Sequence, residues 1–264
     1  MVTLRKGAER RPESETTFIS FRYDRPLLAL TFVLMGIGLV MVYSASIVTA
    51  EFRHADPAFF LKRQAAYIVV AVGCMAFFMN LHHDFWRRIP KVVYVGAVVL
   101  LLLILVPPLA VKVNGATRWL QVGPIRFQPG EIVKVAWVIV VAGYLSANQE
   151  KLPNFKLSWT KPLAMYAVLV CLLIMQPDFG TTVICGALML VMYFSAGARW
   201  RHVGVLVGIA MCLIGVAIYF APYRMRRLMT FLEPEADPLG AGFQVNQALI
   251  SFGSGNWTGV GLGG

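Results

Sequence analysis

The sequence predicts an all-α polytopic membrane protein, and two observations carry that prediction. Of its 264 residues, 58% are hydrophobic and 14% charged, with a mean hydropathy of +0.67, too apolar for a soluble domain of ordinary composition. Seven apolar runs, near residues 27–48, 65–81, 92–110, 131–147, 162–175, 179–198 and 203–221, alternate with polar or proline-bearing stretches. A membrane-crossing helix needs about 20 apolar residues, or roughly 17 when it stands upright. Lipid offers no partner to free backbone groups, so the runs read as helices of a bundle, and the alternating pattern of a transmembrane barrel is missing. No soluble catalytic domain is left over.

Residues 1–26 form a basic tail, 27–221 the bundle, and 222–264 the start of a large extracytoplasmic loop. The first run is longer than a signal-peptide core, and its "YSASIV" end is a poor cleavage site, so it reads as an uncleaved span. Cys74, Cys171, Cys185 and Cys212 all fall inside apolar runs without paired spacing, which assigns them to packing. With seven spans the chain ends lie on opposite sides. The tail's side then holds 14 Lys and Arg and the other side 10, which makes the N-terminus cytoplasmic. Without the tail the extracytoplasmic side is the more basic. Anionic lipid at the outer leaflet would explain that excess, and so would a polyanionic ligand such as a lipid pyrophosphate.

The segment "VNGATRWLQVGPIRFQPGEIVK" carries turn signals at Asn114-Gly115 and Gly123-Pro124 and reads as a structured lid. Arg118 beside Trp119 fits both a membrane anchor and a bidentate phosphate site. Gln128 and Pro129 mark a helix entry. Glu131 and Lys134, three apart, share a helix face and are expected to pair, as structural support or as the wall of a polar cavity. In the short loop "HHDFWRR", His82, His83 and Asp84 make a poor case for a metal.

The run 162–175 makes a helix of only about 21 Å, short of a hydrocarbon core of about 30 Å. Gln176, Pro177 and Asp178 are therefore expected below the headgroups, where an aspartate faces protein or water. Asp178 is also placed to cap the helix that begins at "FGTTV". After the last run, Arg224, Arg226 and Arg227 precede Glu233, Glu235 and Asp237; then comes the turn "LGAG" and a short helix with Gln244, Gln247 and Ser251 on one ridge. Glycines 253–264 permit close backbone approach, a weak signal for phosphate. No H-E-x-x-H, paired-cysteine, P-loop or G-x-S-x-G pattern supports zinc, nucleotide or esterase chemistry.

Four stretches in order, "GLVMVYSAS", "NGATRWLQVGPIRFQPGEIVK", "QPDFGTTV" and "FLEPEADPLGAGFQVNQALISFGSGNWTGVGLGG", resemble the SEDS family of peptidoglycan polymerases (FtsW/RodA/SpoVE). The "GVGLG" ending is closest to its division branch. "QPGE" stands where "QPSE" is commoner, and "GSGNW" replaces a frequent "GSGG". The resemblance implies a glycosyltransferase of the bacterial cytoplasmic membrane, at the division septum. It would join lipid II units into glycan strands and release undecaprenyl pyrophosphate. The implied partners are a class B penicillin-binding transpeptidase of the FtsI kind and other division proteins, with no nucleic acid.

By the same resemblance the essential loop aspartate is Asp237, while Arg118, Trp119, Gln128, Glu131, Lys134, Gln176, Asp178, Gln244 and Gln247 match other recurrent positions. Asp237 would take the acceptor hydroxyl proton, while arginines such as Arg118, or a divalent cation (Mg or Mn), would hold the pyrophosphate. A lipid II flippase, leaning on Asp178, Glu131 and Lys134, and a scaffold recruiting a transpeptidase are the rival readings. The family has ten spans, so three further helices are expected beyond residue 264, and these residues alone are not expected to be active.

Overall fold

The computed structural model describes residues 24–107, 110–113, 116–123, 125–238, 240, 242–256 and 259–261. The tail to residue 23, the turn at Asn114-Gly115, Pro124, and Leu262 with Gly263 and Gly264 are among those that lie outside them. The chain divides into two compact units, residues 1–79 with 257–264, and residues 80–256.

The first unit holds two long apolar helices, α1 (Arg25–His54) and α2 (Phe59–Met79). Asp24 starts α1 by accepting the Leu27 N–H at 3.1 Å, with Pro26 in the first turn where a missing N–H costs nothing. At 30 residues α1 is about 45 Å long, outreaching a hydrocarbon core of about 30 Å. It ends at Ala55, left-handed with φ 53°. Beyond it, Asp56 accepts the Ala58 N–H at 3.0 Å and the Lys62 ammonium at 2.9 Å. Those two donors, Lys62 foremost, hold the Asp56 carboxyl below its ordinary value. His54 stacks on Phe59, ring centroids 3.8 Å apart.

The second unit begins with the short α3 (His83–Arg88), which His82 caps by accepting the Asp84 N–H. Its core lies where α4 (Pro90–Leu103), α5 (Pro129–Ala147), α6 (Phe155–Met175) and α7 (Phe179–Ser195) meet, around Leu101, Val133, Trp137, Trp159, Leu173, Cys185 and Tyr193. Tyrosine and tryptophan tips cross between helices to spare carbonyl lone pairs: Trp137 Nε1 to Cys185 O (3.0 Å), Tyr166 Oη to Thr182 O (2.7 Å), Tyr94 Oη to Met165 O (3.0 Å) and Tyr193 Oη to Ser158 O (2.7 Å). In a medium without water such bonds fix which helices pair. Two glycines let helices close up: a Cβ on Gly143 would lie 2.6 Å from the Pro90 ring, and one on Gly186 would lie 2.6 Å from Tyr166 Oη.

After α7 come α8 (Trp200–Tyr219), α9 (Pro222–Leu232) and α10 (Phe243–Gly255). Five helices, α1, α2, α5, α6 and α8, are long and apolar enough to cross a membrane, and α4 and α7 are shorter apolar helices. The protein is an all-α polytopic membrane protein with one small sheet.

That sheet departs from the sequence reading. The apolar run 92–110 is helical only to Leu103, because Pro107 and Pro108 cannot continue a helix. The chain then enters an antiparallel sheet of β1 (Ala110–Val113), β2 (Ala116–Val122) and β3 (Ile125–Phe127), in that order. Gly123, at φ 61°, makes the β2–β3 turn. A second departure concerns α6. It starts at Phe155, capped by Asn154, and carries Pro162 within it. Its 21 residues extend about 31 Å, so the predicted shortfall in length does not exist. The cysteines also differ from expectation: Cys185 is buried, but Cys74, Cys171 and Cys212 are exposed on their helices.

Candidate functional site

Two groups of polar side chains stand out in the second unit. The first forms where the α6–α7 junction meets the sheet and the start of α5. Asp178 caps α7, its Oδ1 accepting the Thr181 N–H at 3.3 Å and its Oδ2 the Thr181 hydroxyl at 2.8 Å. Gln128, the residue before α5, donates Nε2–H to the same Oδ2 at 3.3 Å. Thr182 donates its hydroxyl to the Asp178 carbonyl at 2.9 Å. Asp178 is 4% exposed; its burial comes from this packing and its donors, not from a short helix. Burying a carboxylate is costly unless hydrogen-bond donors surround it, and these three supply that.

Gln176, also buried, donates Nε2–H to the Leu101 carbonyl at 2.8 Å and so satisfies an end group of α4. Arg118, on β2, donates Nη2–H to the Pro177 carbonyl and ties the sheet to the junction. Its Nε–H is buried with no hydrogen-bond partner among the described residues. Trp119 follows on β2, half-buried. On the first turn of α5, Lys134 pairs with Glu131 at 2.7 Å; the lysine side chain is 24% exposed and the glutamate 62%. Gly130 packs hard on the group, since a Cβ there would lie 3.1 Å from both Asp178 Oδ2 and Thr181 Oγ1.

The second group is the segment between α9 and α10. Residues Pro234–Ala236 make one 3-10 turn, and Asp237 follows it, exposed, with φ −142° and ψ 73°. One of its carboxylate oxygens accepts the Gly240 N–H at 3.0 Å, and its carbonyl accepts the N–H of Gly242 at 3.0 Å. Neither glycine has room for a side chain. A Cβ on Gly240 would lie 2.3 Å from Asp237 Oδ2, and one on Gly242 would lie 2.1 Å from the Pro234 carbonyl. Asn246 on α10 reaches back to the Pro234 carbonyl at 2.9 Å and closes the loop. Gln244 and Gln247 are exposed on α10.

The structure thus gathers Arg118, Gln128, Gln176 and Asp178 at one junction, with Trp119 and the Glu131–Lys134 pair on the adjoining strand and helix. Asp237, Gln244 and Gln247 belong to the α9–α10 loop. Thr181, Thr182, Gly130 and Asn246 were not singled out from the sequence. The signal for Thr181 was present, because a hydroxyl three residues after a capping aspartate is within its reach. Asn246 has no comparable signature. Among the described residues no three His, Cys, Asp or Glu side chains gather as a metal site. A magnesium ion is commonly held by one or two carboxylates plus phosphate oxygens, so no residue here is assigned to one.

A family model described as cell cycle protein, FtsW/RodA/SpoVE, matches residues 25–264. The chain belongs to this family. It is 41% identical over 243 residues to a probable peptidoglycan glycosyltransferase FtsW of Idiomarina loihiensis, covering 91% of this chain and 58% of the relative. The similarly named protein of Alkalilimnicola ehrlichii is 42% identical over 245 residues, with coverages of 92% and 60%. The chain therefore spans about three fifths of the length of these relatives. Among solved structures it is similar to a chain from "Structural coordination of polymerization and crosslinking by a peptidoglycan synthase complex", with TM-score 0.65, 26% identity, and 86% of this chain and 66% of that one covered. It is also similar to the rod shape determining protein RodA of Thermus thermophilus, with TM-score 0.52, 25% identity and coverages of 69% and 58%.

Proposed function

We propose that the protein is a peptidoglycan glycosyltransferase that polymerises lipid II during septal wall synthesis, and that Asp237 is its catalytic base. The observation that carries this reading is the Asp237 loop. The aspartate is exposed while its carboxylate is pinned by the Gly240 N–H and crowded against that same glycine, a geometry suited to presenting one carboxylate to an incoming hydroxyl. In the reaction the acceptor sugar oxygen bonds to the anomeric carbon of the donor, the bond from that carbon to the pyrophosphate oxygen breaks, and the hydroxyl proton passes to Asp237.

Cationic groups must offset the charge of the departing lipid pyrophosphate. Arg118 is the proposed holder, since its buried Nε–H is a donor that a phosphate oxygen would satisfy. Gln128, Asp178, Gln176 and the Glu131–Lys134 pair build the wall that positions it. Trp119, Gln244 and Gln247 are proposed as contacts to lipid-linked sugar. A class B transpeptidase is the proposed partner, in keeping with relatives named as glycosyltransferases and a structural neighbour described as a synthase complex. The proposed location is the cytoplasmic membrane at the septum.

The full-length protein, reconstituted with lipid II and its transpeptidase, should make glycan strands from wild type and none from Asp237→Ala. Equal yield and length from the variant would sink the base assignment. Headgroups crossing the bilayer without any polymer would establish the flippase reading instead.

A further inference from the structure

Among the described helices of eleven residues or more, α9 alone is polar on balance. Its sequence, PYRMRRLMTFL, holds three arginines and no acid, while its apolar residues keep helical spacing. Met225, Leu228, Met229 and Leu232 fall at i, i+3, i+4 and i+7, a single stripe, and the exposed Phe231 lies beside it on the side of position 224. Positions 224 and 226 flank that stripe on either side, and 227 lies opposite. Among the described residues, nothing covers most of the stripe: Leu228, Met229 and Leu232 are 39%, 52% and 64% exposed, and Met225 is half-buried.

The helix also begins where a span ends. α8, at 20 residues about 30 Å long, stops at Tyr219, and α9 starts at Pro222. Between them Tyr219 and Phe220 stand exposed, aromatic residues of the kind that sit at headgroup depth. A short helix with an open apolar stripe, flanking arginines and a start at the headgroup layer has the character of an interfacial helix. A purely protein partner would not call for cations on both borders of the stripe, whereas phospholipid phosphates lie at that depth on both sides.

We propose that α9 docks on anionic phospholipid of the leaflet at which α8 ends, its stripe among the acyl chains and its two bordering arginines at the level of the phosphates. The docked helix sets the height of the reactive loop. The Glu233 N–H bonds back to the Met229 carbonyl at 2.7 Å, and Asp237 lies within one short turn of that point. This inference stands on α9 and holds whatever reaction the loop performs.

The test uses the full-length protein in vesicles without substrate. Cys74, Cys171 and Cys212 are changed to alanine, and a single environment-sensitive fluorophore is placed on Met229→Cys. In vesicles containing phosphatidylglycerol its emission should shift to the blue and be quenched by lipid spin-labelled near the headgroup. The same fluorophore on Thr230→Cys should show neither effect. Changing Arg224, Arg226 and Arg227 to Gln should weaken the docking equilibrium about fivefold for each arginine replaced, read as a decline in quenching, and vesicles of phosphatidylcholine alone should weaken it similarly. A blue-shifted but unquenched probe would show that protein covers the stripe, an unshifted probe that water does, and equal quenching in both lipids that charge is irrelevant; each overturns the proposal.

Discussion

Gly240 lies so near Asp237 that a methyl group would enter its carboxylate, 2.3 Å from Oδ2 and 2.6 Å from Oδ1. An alanine there must push the aspartate off its position, and misplacing a reacting group by about 1 Å costs on the order of a hundredfold in rate. Gly240→Ala should therefore lose polymerisation nearly as completely as Asp237→Ala while the protein stays folded. Gly253→Ala, with nothing within 4 Å, should behave as wild type in the same strand-length assay. At the other group, Thr181→Val would remove the 2.8 Å donor from a buried carboxylate, costing about 1–3 kcal/mol of stability. Thr181→Ser should restore it, with thermal unfolding in detergent as the readout. The cap at Asp178 was legible because an aspartate preceded a helix start, a purely local relation. Its bonds to Gln128, and Arg118's to the Pro177 carbonyl, join residues 50 and 59 positions apart, and no local pattern encodes them.

The helices were legible as apolar runs, but their ends were not, because hydropathy reads side chains while ends are set by backbone chemistry. α6 gains its first seven residues from Asn154's cap and from aromatic packing of Trp159 on Tyr193 at 3.7 Å, features that the polar spelling "FKLSWTK" conceals. α4 loses its last residues to Pro107-Pro108, and the small sheet beyond was read only as a structured lid, since strands of three to seven residues leave little periodicity. Helix pairing follows from close approach as well. Gly143 on α5 faces the ring of Pro90, which is fixed to the start of α4, so a Cβ at 2.6 Å cannot be relieved by a rotamer change. Gly143→Ala should destabilise the protein by about 1–3 kcal/mol. Gly73→Ala on α2, where nothing lies within 4 Å, should cost nothing in the same unfolding measurement.

For the molecule as a whole, the reading of function depends on which side of the membrane holds the α9–α10 loop. Among the described residues seven apolar helices precede that loop, an odd number, so residue 24 and Asp237 face opposite compartments if each helix crosses once. The proposed orientation puts the basic tail in the cytoplasm, and the remaining loops are then more basic on the other side, by 10 to 8. On the proposed docking, the two arginines that border the stripe, at 224 and 226, account for two of those ten, because cations held on outer-leaflet phosphate are bound by lipid. The expected outcome is specific. A membrane-impermeant maleimide should label Glu235→Cys in intact spheroplasts, and Asp24→Cys only after permeabilisation. Cys74, Cys171 and Cys212 sit within apolar helices, where a membrane-impermeant reagent has little access, so the native background should be low. The reverse labelling would put Asp237 on the cytoplasmic face, away from a growing wall, and would end the polymerase reading whatever the loop's geometry. The proposed orientation, by contrast, brings a pinned carboxylate, a lipid-anchored helix and the substrate's pyrophosphate to one headgroup plane.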